Sequence, residues 1–285
     1  MGYSKGSLRV IDNGDISEEH FDLSSSVTAT TFLPNGEYLY VSDALGTLVV
    51  YPANKTSLLL MKSIKHIVAK GSHRGPAAIQ ASRDSRLIAF VGPTEHCVSV
   101  MESDTLTCLV KLDVSSAVSS YLDSVQCVVF GTVMSRDLFV CTMSGKVLRI
   151  DTRSGVIVSE HHPYPNSPPL LLVSDHMIVT ACGKKFSVCD YKTMNPIQKY
   201  VAHDDINHAA FTPNLSDIVM CGDSITLWSF RGREAGVGVP DICSKKMVSF
   251  DDVNRAVEVE AVEDLAREIP TPSSLEPVHS DIRYY

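Results

Sequence analysis

One short apolar pattern returns six times along the chain, and it restricts the possible folds more than any other feature. The copies are "LRVID" from Leu8, "LVVYP" from Leu48, "VSVME" from Val98, "LRID" from Leu148, "FSVCD" from Phe186 and "ITLWS" from Ile225. The position held by Trp228 is filled in the earlier copies by Ile11, Tyr51, Met101, Ile150 and Cys189. Successive copies lie 40, 50, 49, 39 and 39 residues apart. A strand-rich repeat of this length matches one four-stranded unit, which cannot bury its own faces and must stack on neighbouring copies.

The rest of each unit keeps the same register. A second apolar strand precedes the repeated one: "YLYVSD", "RLIAFVG", "DLFVCT", "MIVTAC" and "DIVMCGD". Polar turns come before it, as in "FLPNGEY" at Phe32, "ASRDSRL" at Ala81 and "FTPNLSD" at Phe211. They combine residues that preset φ with residues that hydrogen-bond their own backbone. Downstream, "TRSGVIVSEH" and "KTMNPIQKYVAH" supply a turn and an outer strand. Short alternating strands between regularly spaced turns predict an all-β architecture.

The best-kept unit, His203 to Phe230, reads "HDDINHAAFTPNLSDIVMCGDSITLWSF" and resembles a degenerate WD40 repeat. His203 matches the histidine of that family's Gly-His pair, with Ala202 in place of the glycine. "FTPN" matches its strand-linking turn, Asp223 the turn aspartate and Trp228 the strand tryptophan. Ser229 replaces the aspartate after tryptophan, which Asp12, Asp151 and Asp190 keep in other units. The resemblance implies a WD40-type β-propeller over residues 1–230, with His203, Asp223 and Trp228 as structural repeat residues and His203 bonded across the blade to the turn aspartate. About five to six blades are visible. The chain opens in mid-blade and ends on a blade of three strands, which predicts either a small ring or, as the favoured expectation, the C-terminal part of a longer chain whose ring has the family's common seven blades.

Residues 231–285 form an acidic tail with seven basic and eleven acidic side chains. Within it, Val253, Val257, Ala261, Leu265 and Ile269 fall on one face of a helix expected over 251–269, capped by Asp251 or Asp252 and stopped by Pro270. The net charge of −8 offers no basic face for nucleic acid. No run approaches the roughly 18 apolar residues of a membrane span. The eight cysteines stand singly, mostly in apolar runs, and read as buried thiols of a reducing compartment. A cytoplasmic, non-secreted protein is expected.

Candidate chemistry is sparse. "GDSI" at Gly222 looks like the nucleophile block of serine esterases, but the repeat register puts Ser224 at a strand entrance, with no following helix or Asp-x-x-His pair. His161 and His162 sit between units without a third ligand at metal spacing. His73 and His203 read as structural, and His96 as a strand residue. No catalytic residue, cofactor or metal is expected, and the function is that of a non-catalytic protein-interaction scaffold. Arg74, Arg136 and Tyr164 are candidate loop contacts.

Two narrower resemblances refine that reading. "IDTR", Ile150 to Arg153, is similar to the end of a third strand that docks the adaptor in WD40 substrate receptors of cullin-based ubiquitin ligases, with Asp151 and Arg153 as the matching pair and "CDYK" at Cys189 a weaker copy. Asp-x-Arg also has a plain structural use, since the aspartate caps the following turn. "GKKFSVCDYKT" and the last unit resemble the C-terminal propeller of large tandem-propeller WD proteins of centriole walls and ciliary microtubules. That resemblance implies a microtubule-associated scaffold of centriole or cilium assembly, with tubulin or centriolar and ciliary proteins as partners. The ubiquitin-ligase receptor is the alternative.

Overall fold

The computed structural model describes residues 7–12, 15–23, 25–53, 62–70, 78–115, 123–131, 136–212, 217–231 and 241–249, with side chains described between 23 and 229. A hairpin of β1 (Ser7–Asp12) and β2 (Asp15–Asp22) precedes five four-stranded antiparallel sheets, each in chain order. Blade 1 is β3 (Val27–Phe32), β4 (Tyr38–Asp43), β5 (Leu48–Pro52) and β6 (Lys62–Ile64). Blade 2 is β7 (Ile79–Ala81), β8 (Leu87–Val91), β9 (Cys97–Glu102) and β10 (Cys108–Asp113). Blade 3 is β11 (Val125–Phe130), β12 (Asp137–Thr142), β13 (Val147–Asp151) and β14 (Val156–His161). Blade 4 is β15 (Leu170–Val173), β16 (Met177–Cys182), β17 (Lys185–Asp190) and β18 (Pro196–Val201). Blade 5 is β19 (His208–Phe211), β20 (Asp217–Cys221), β21 (Ser224–Arg231) and β22 (Asp241–Ser249). The fold is an all-β propeller.

The repeated strand is the third strand of every blade, and the residues at the Trp228 position, Tyr51, Met101, Ile150, Cys189 and Trp228, are all buried. Innermost strands meet in sequence: β3 touches β7, β7 touches β11, β11 touches β15 and β15 touches β19. Middle strands therefore lie between neighbouring blades on both faces, and β12 is buried at every residue. Outer strands have one free edge, and β10, β14 and β18 accordingly alternate exposed with half-buried side chains. The core is formed between blades. Val129 and Phe139 of blade 3 share a cluster with Leu171 and Ile178 of blade 4, and Phe186 of blade 4 shares one with Ile218 and Trp228 of blade 5.

Blade 5 corrects the three-stranded ending expected from the sequence. Its fourth strand, β22, pairs antiparallel with β21 over Ser224↔Ser249 to Arg231↔Asp241. The sequence "DICSKKMVS" carries two adjacent lysines and lacks the apolar run that marks inner strands. An outer strand does not need such a run. The helix expected over 251–269 lies outside the described residues.

Candidate functional site

The meander puts the turns between third and fourth strands beside those between first and second strands. On this face Ala53 N–H donates to the Glu37 carbonyl (2.7 Å), Ser103 to Arg86 (2.9 Å) and Thr152 to Arg136 (2.7 Å). Asp151 ends β13 here. Its Oδ1 accepts the backbone N–H groups of Arg153 (2.9 Å) and Ser154 (3.0 Å), and its Oδ2 accepts Arg136 Nε at 3.0 Å. Hydrogen bonds from the Ser154 N–H, the Arg136 guanidinium and the Arg153 N–H hold the carboxyl at about 2. Asp190 closes the turn after β17 in the same way, through Lys192 N (3.0 Å) and Thr193 N (2.7 Å). Asp151 is thus committed to its own turn, while the Arg153 side chain is exposed without an ion pair among the described residues.

Beside these turns a cleft lined by Asp137, Arg149, Asp175 and Tyr191 separates blades 3 and 4. Asp137 Oδ2 accepts both the Tyr191 hydroxyl and Arg149 Nη2 at 3.0 Å, and Arg149 Nη1 donates to the Lys192 carbonyl at 2.9 Å. The arrangement is a lock between blades, with Arg149 paired to Asp137 inside it and Asp175 paired to Arg83 at 3.7 Å outside it.

The opposite face carries the turns entering the third strands. Gly222 and Asp223 form a bend before Ser224 opens β21, so "GDSI" is a strand entrance. Ser224 Oγ donates to Asp204 Oδ2 (2.5 Å), and Asp204 Oδ1 pairs with His203 Nδ1 (2.8 Å). The carboxylate stands between hydroxyl and imidazole, whereas acyl transfer needs the imidazole between the other two. Hydrogen bonds from Ser224 and then His203 pull the Asp204 carboxyl below the ordinary range, making it a weaker base. The expected bond from His203 to the turn aspartate is not made: exposed Asp223 makes no hydrogen bond among the described residues, and Asp204 holds the turn instead. Blade 3 repeats this device, with Asp123 accepting Ser144 N–H at 2.8 Å and Ser144 Oγ at 2.6 Å. A loop aspartate tied to a turn serine was missed because neither residue belongs to the family's signature pair. Trp228 packs edge-on to Phe186 (4.8 Å, 75°), which stacks on Tyr200 (4.9 Å, 19°).

His162 Nε2 lies 2.8 Å from the Ser144 carbonyl, and burial followed by the His162 charge lowers the His161 pKa. Tyr164 is half-buried with its hydroxyl on the Thr180 carbonyl at 3.1 Å, while exposed Arg136 pairs with Asp151. His96 stands in the turn before β9 and not in a strand as expected, half-buried with Nδ1 unpartnered, and His73 and Arg74 lie outside the described residues. Among the described residues no three His, Cys, Asp or Glu side chains converge as a metal site, and no helix is long and apolar enough to cross a membrane. The cysteines with described side chains are free thiols.

This geometry, rigid turns on two faces of a propeller, agrees with the comparisons. WD repeat-containing protein 90 of Homo sapiens is 33% identical over 258 residues, covering 85% of this chain and 15% of the relative. The Xenopus tropicalis and Mus musculus proteins of that name are 29% and 30% identical, each over 80% of this chain and 13% of their own length. The chain therefore spans only a small part of these relatives. The profile of the second β-propeller of WDR90/POC16 matches residues 1–229, and the chain belongs to that WD-repeat propeller family.

Proposed function

We propose that this propeller is a microtubule-associated scaffold acting in centriole or cilium assembly within the cytoplasm. The match of residues 1–229 to the WDR90/POC16 second propeller carries the reading. It is supported by the resemblance of the last two units to the tandem-propeller WD proteins of centriole walls and ciliary microtubules. The turns on both faces are pinned by backbone and carboxylate bonds, so partners meet a preformed surface and little ordering entropy is lost on binding. The scaffold works by rigid presentation, with no chemical step. Purified chain should co-sediment with polymerised tubulin, or its tagged form should concentrate at centrioles or cilia. A chain that stays in the supernatant and spreads evenly through the cell would remove the reading.

A second reading, docking of a cullin-ligase adaptor, rests on the exposed Arg153 beside Asp151. Guanidinium recognition of a carboxylate is bidentate and specific. Arg153→Ala should abolish adaptor co-purification while leaving the fold intact. Equal adaptor recovery with both proteins would leave Asp151 and Arg153 as turn residues only.

A further inference from the structure

On the face that carries Ser224, a cleft of about 750 Å³ opens between the β14–β15 loop and blade 4. Pro163 and Tyr164 form one wall, and Lys184, Lys185, Lys199 and Val201 the other. Three lysines and no carboxylate line it, in a chain whose net charge is −8. Lys185 sits opposite Val201 and Ser187 opposite Lys199 in the β17–β18 register, so Lys185 and Lys199 are diagonal neighbours on one face of the blade. Neither ammonium group forms a hydrogen bond or ion pair among the described residues, although the Lys185 carbonyl accepts the Tyr164 hydroxyl at 3.4 Å. Lys184 Nζ donates to the His203 carbonyl at 3.0 Å, which fixes the ammonium at the turn. Asp204, the carboxylate that feels Lys184, is held by Ser224 and His203.

The facing wall is rigid. His162 Nε2 and the Asn166 N–H both reach the Ser144 carbonyl, at 2.8 and 2.7 Å. The Tyr164 hydroxyl donates to the Thr180 carbonyl (3.1 Å) and lies 3.2 Å from Ser187 Oγ. Gly145, at φ +93°, lets the loop close down, since any Cβ there would run into the Tyr164 carbonyl oxygen. The cleft is thus preformed, with cations on one side and an exposed apolar residue, Val201 (68% exposed), at its end.

We propose that this cleft docks an extended acidic peptide segment of a partner protein, its Asp or Glu side chains meeting Lys184, Lys185 and Lys199 and an apolar residue covering Val201. This goes beyond the scaffold reading and stands without it. A peptide fits better than nucleic acid, because nucleic acid requires phosphate contacts along an extended basic face and this chain is acidic overall. Exposed ion pairs are individually weak and screened by salt, so binding should be modest and salt-sensitive.

The test is fluorescence anisotropy of a fluorescein-labelled glutamate-rich peptide with one central valine, titrated with the full chain. Binding should weaken at least tenfold in the Lys184→Ala/Lys185→Ala/Lys199→Ala variant. The matching Lys→Arg variant should keep it, and a lysine-rich peptide should not bind. Equal affinity for the native and triple-alanine chains would overturn the proposal, as would absence of peptide binding or tighter binding of an oligothymidylate. Carbodiimide cross-links from these lysines to Asp251–Glu268 of the same chain would also overturn it, since the chain's own acidic segment would then be the occupant.

Discussion

Asp151 and Asp190 show how a residue visible in the sequence is given its role by its neighbours. Both end a third strand, and both turn one carboxylate oxygen onto the two backbone N–H groups that follow. Arg153, the other half of the expected docking pair, contributes its backbone to that turn and leaves its guanidinium in solvent. The Asp151 carboxyl is held at about 2 against an ordinary 3.8, so its ionised form favours the folded state. Because the folded value is the lower one, this stabilisation is present above pH 4 and is lost as pH falls towards 2. Asp151→Asn keeps an oxygen acceptor but removes the charge. It should lower Tm at pH 7 by about 2–4 °C, the shift expected for a loss near 1 kcal/mol in a chain of this size. The gap between native and variant melting curves should shrink as pH falls from 4 to 2. A gap that persists unchanged at pH 2 would show that the charge is not what holds the turn.

At the scale of elements, legibility followed burial. Strands β4, β8, β12, β16 and β20, and the third strands beside them, stood out as apolar runs because each is packed between blades. Outer strands alternate and merge with their turns, and β22 was passed over for that reason. Contacts between elements distant in sequence left no trace. Tyr191, in the turn after β17, places its hydroxyl on Asp137, 54 positions earlier, and Arg149 binds the same oxygen. Gly131 is what admits the phenol, since a side chain there would collide with the Tyr191 hydroxyl. The lysine cleft was equally hidden, because Lys185 and Lys199 become neighbours only through the β17–β18 register. Tyr191→Phe removes one bond to Asp137 without opening a cavity. It should cost about 1 kcal/mol, or roughly 2–4 °C in Tm. A double-mutant cycle with Arg149→Ala should show coupling, because both groups share Asp137. Strict additivity would mean that the lock between blades 3 and 4 does not act as a unit.

For the whole molecule, stability is built from interfaces between adjacent blades. Each innermost strand meets the next, and the clusters that bury Phe139 and Phe186 cross from one blade to its neighbour. In such a stack, stability approximates a sum of unit and nearest-neighbour terms. Trp228 reports on one of those terms. It is the chain's single tryptophan, is 9% exposed, and packs on Phe186 and Tyr200 of the preceding blade. Its emission therefore senses the interface between blades 4 and 5, whereas far-UV circular dichroism senses strands everywhere. In the native chain both signals should change together in urea, because the interface transmits unfolding between the blades. Phe186→Ala removes a fully buried ring at that junction and should cost about 3–5 kcal/mol. With the coupling weakened, the Trp228 transition should move to lower urea than the circular dichroism transition, so that blade 5 opens before the others. If the two curves still coincide in that variant, the propeller unfolds as one cooperative body and the nearest-neighbour account fails.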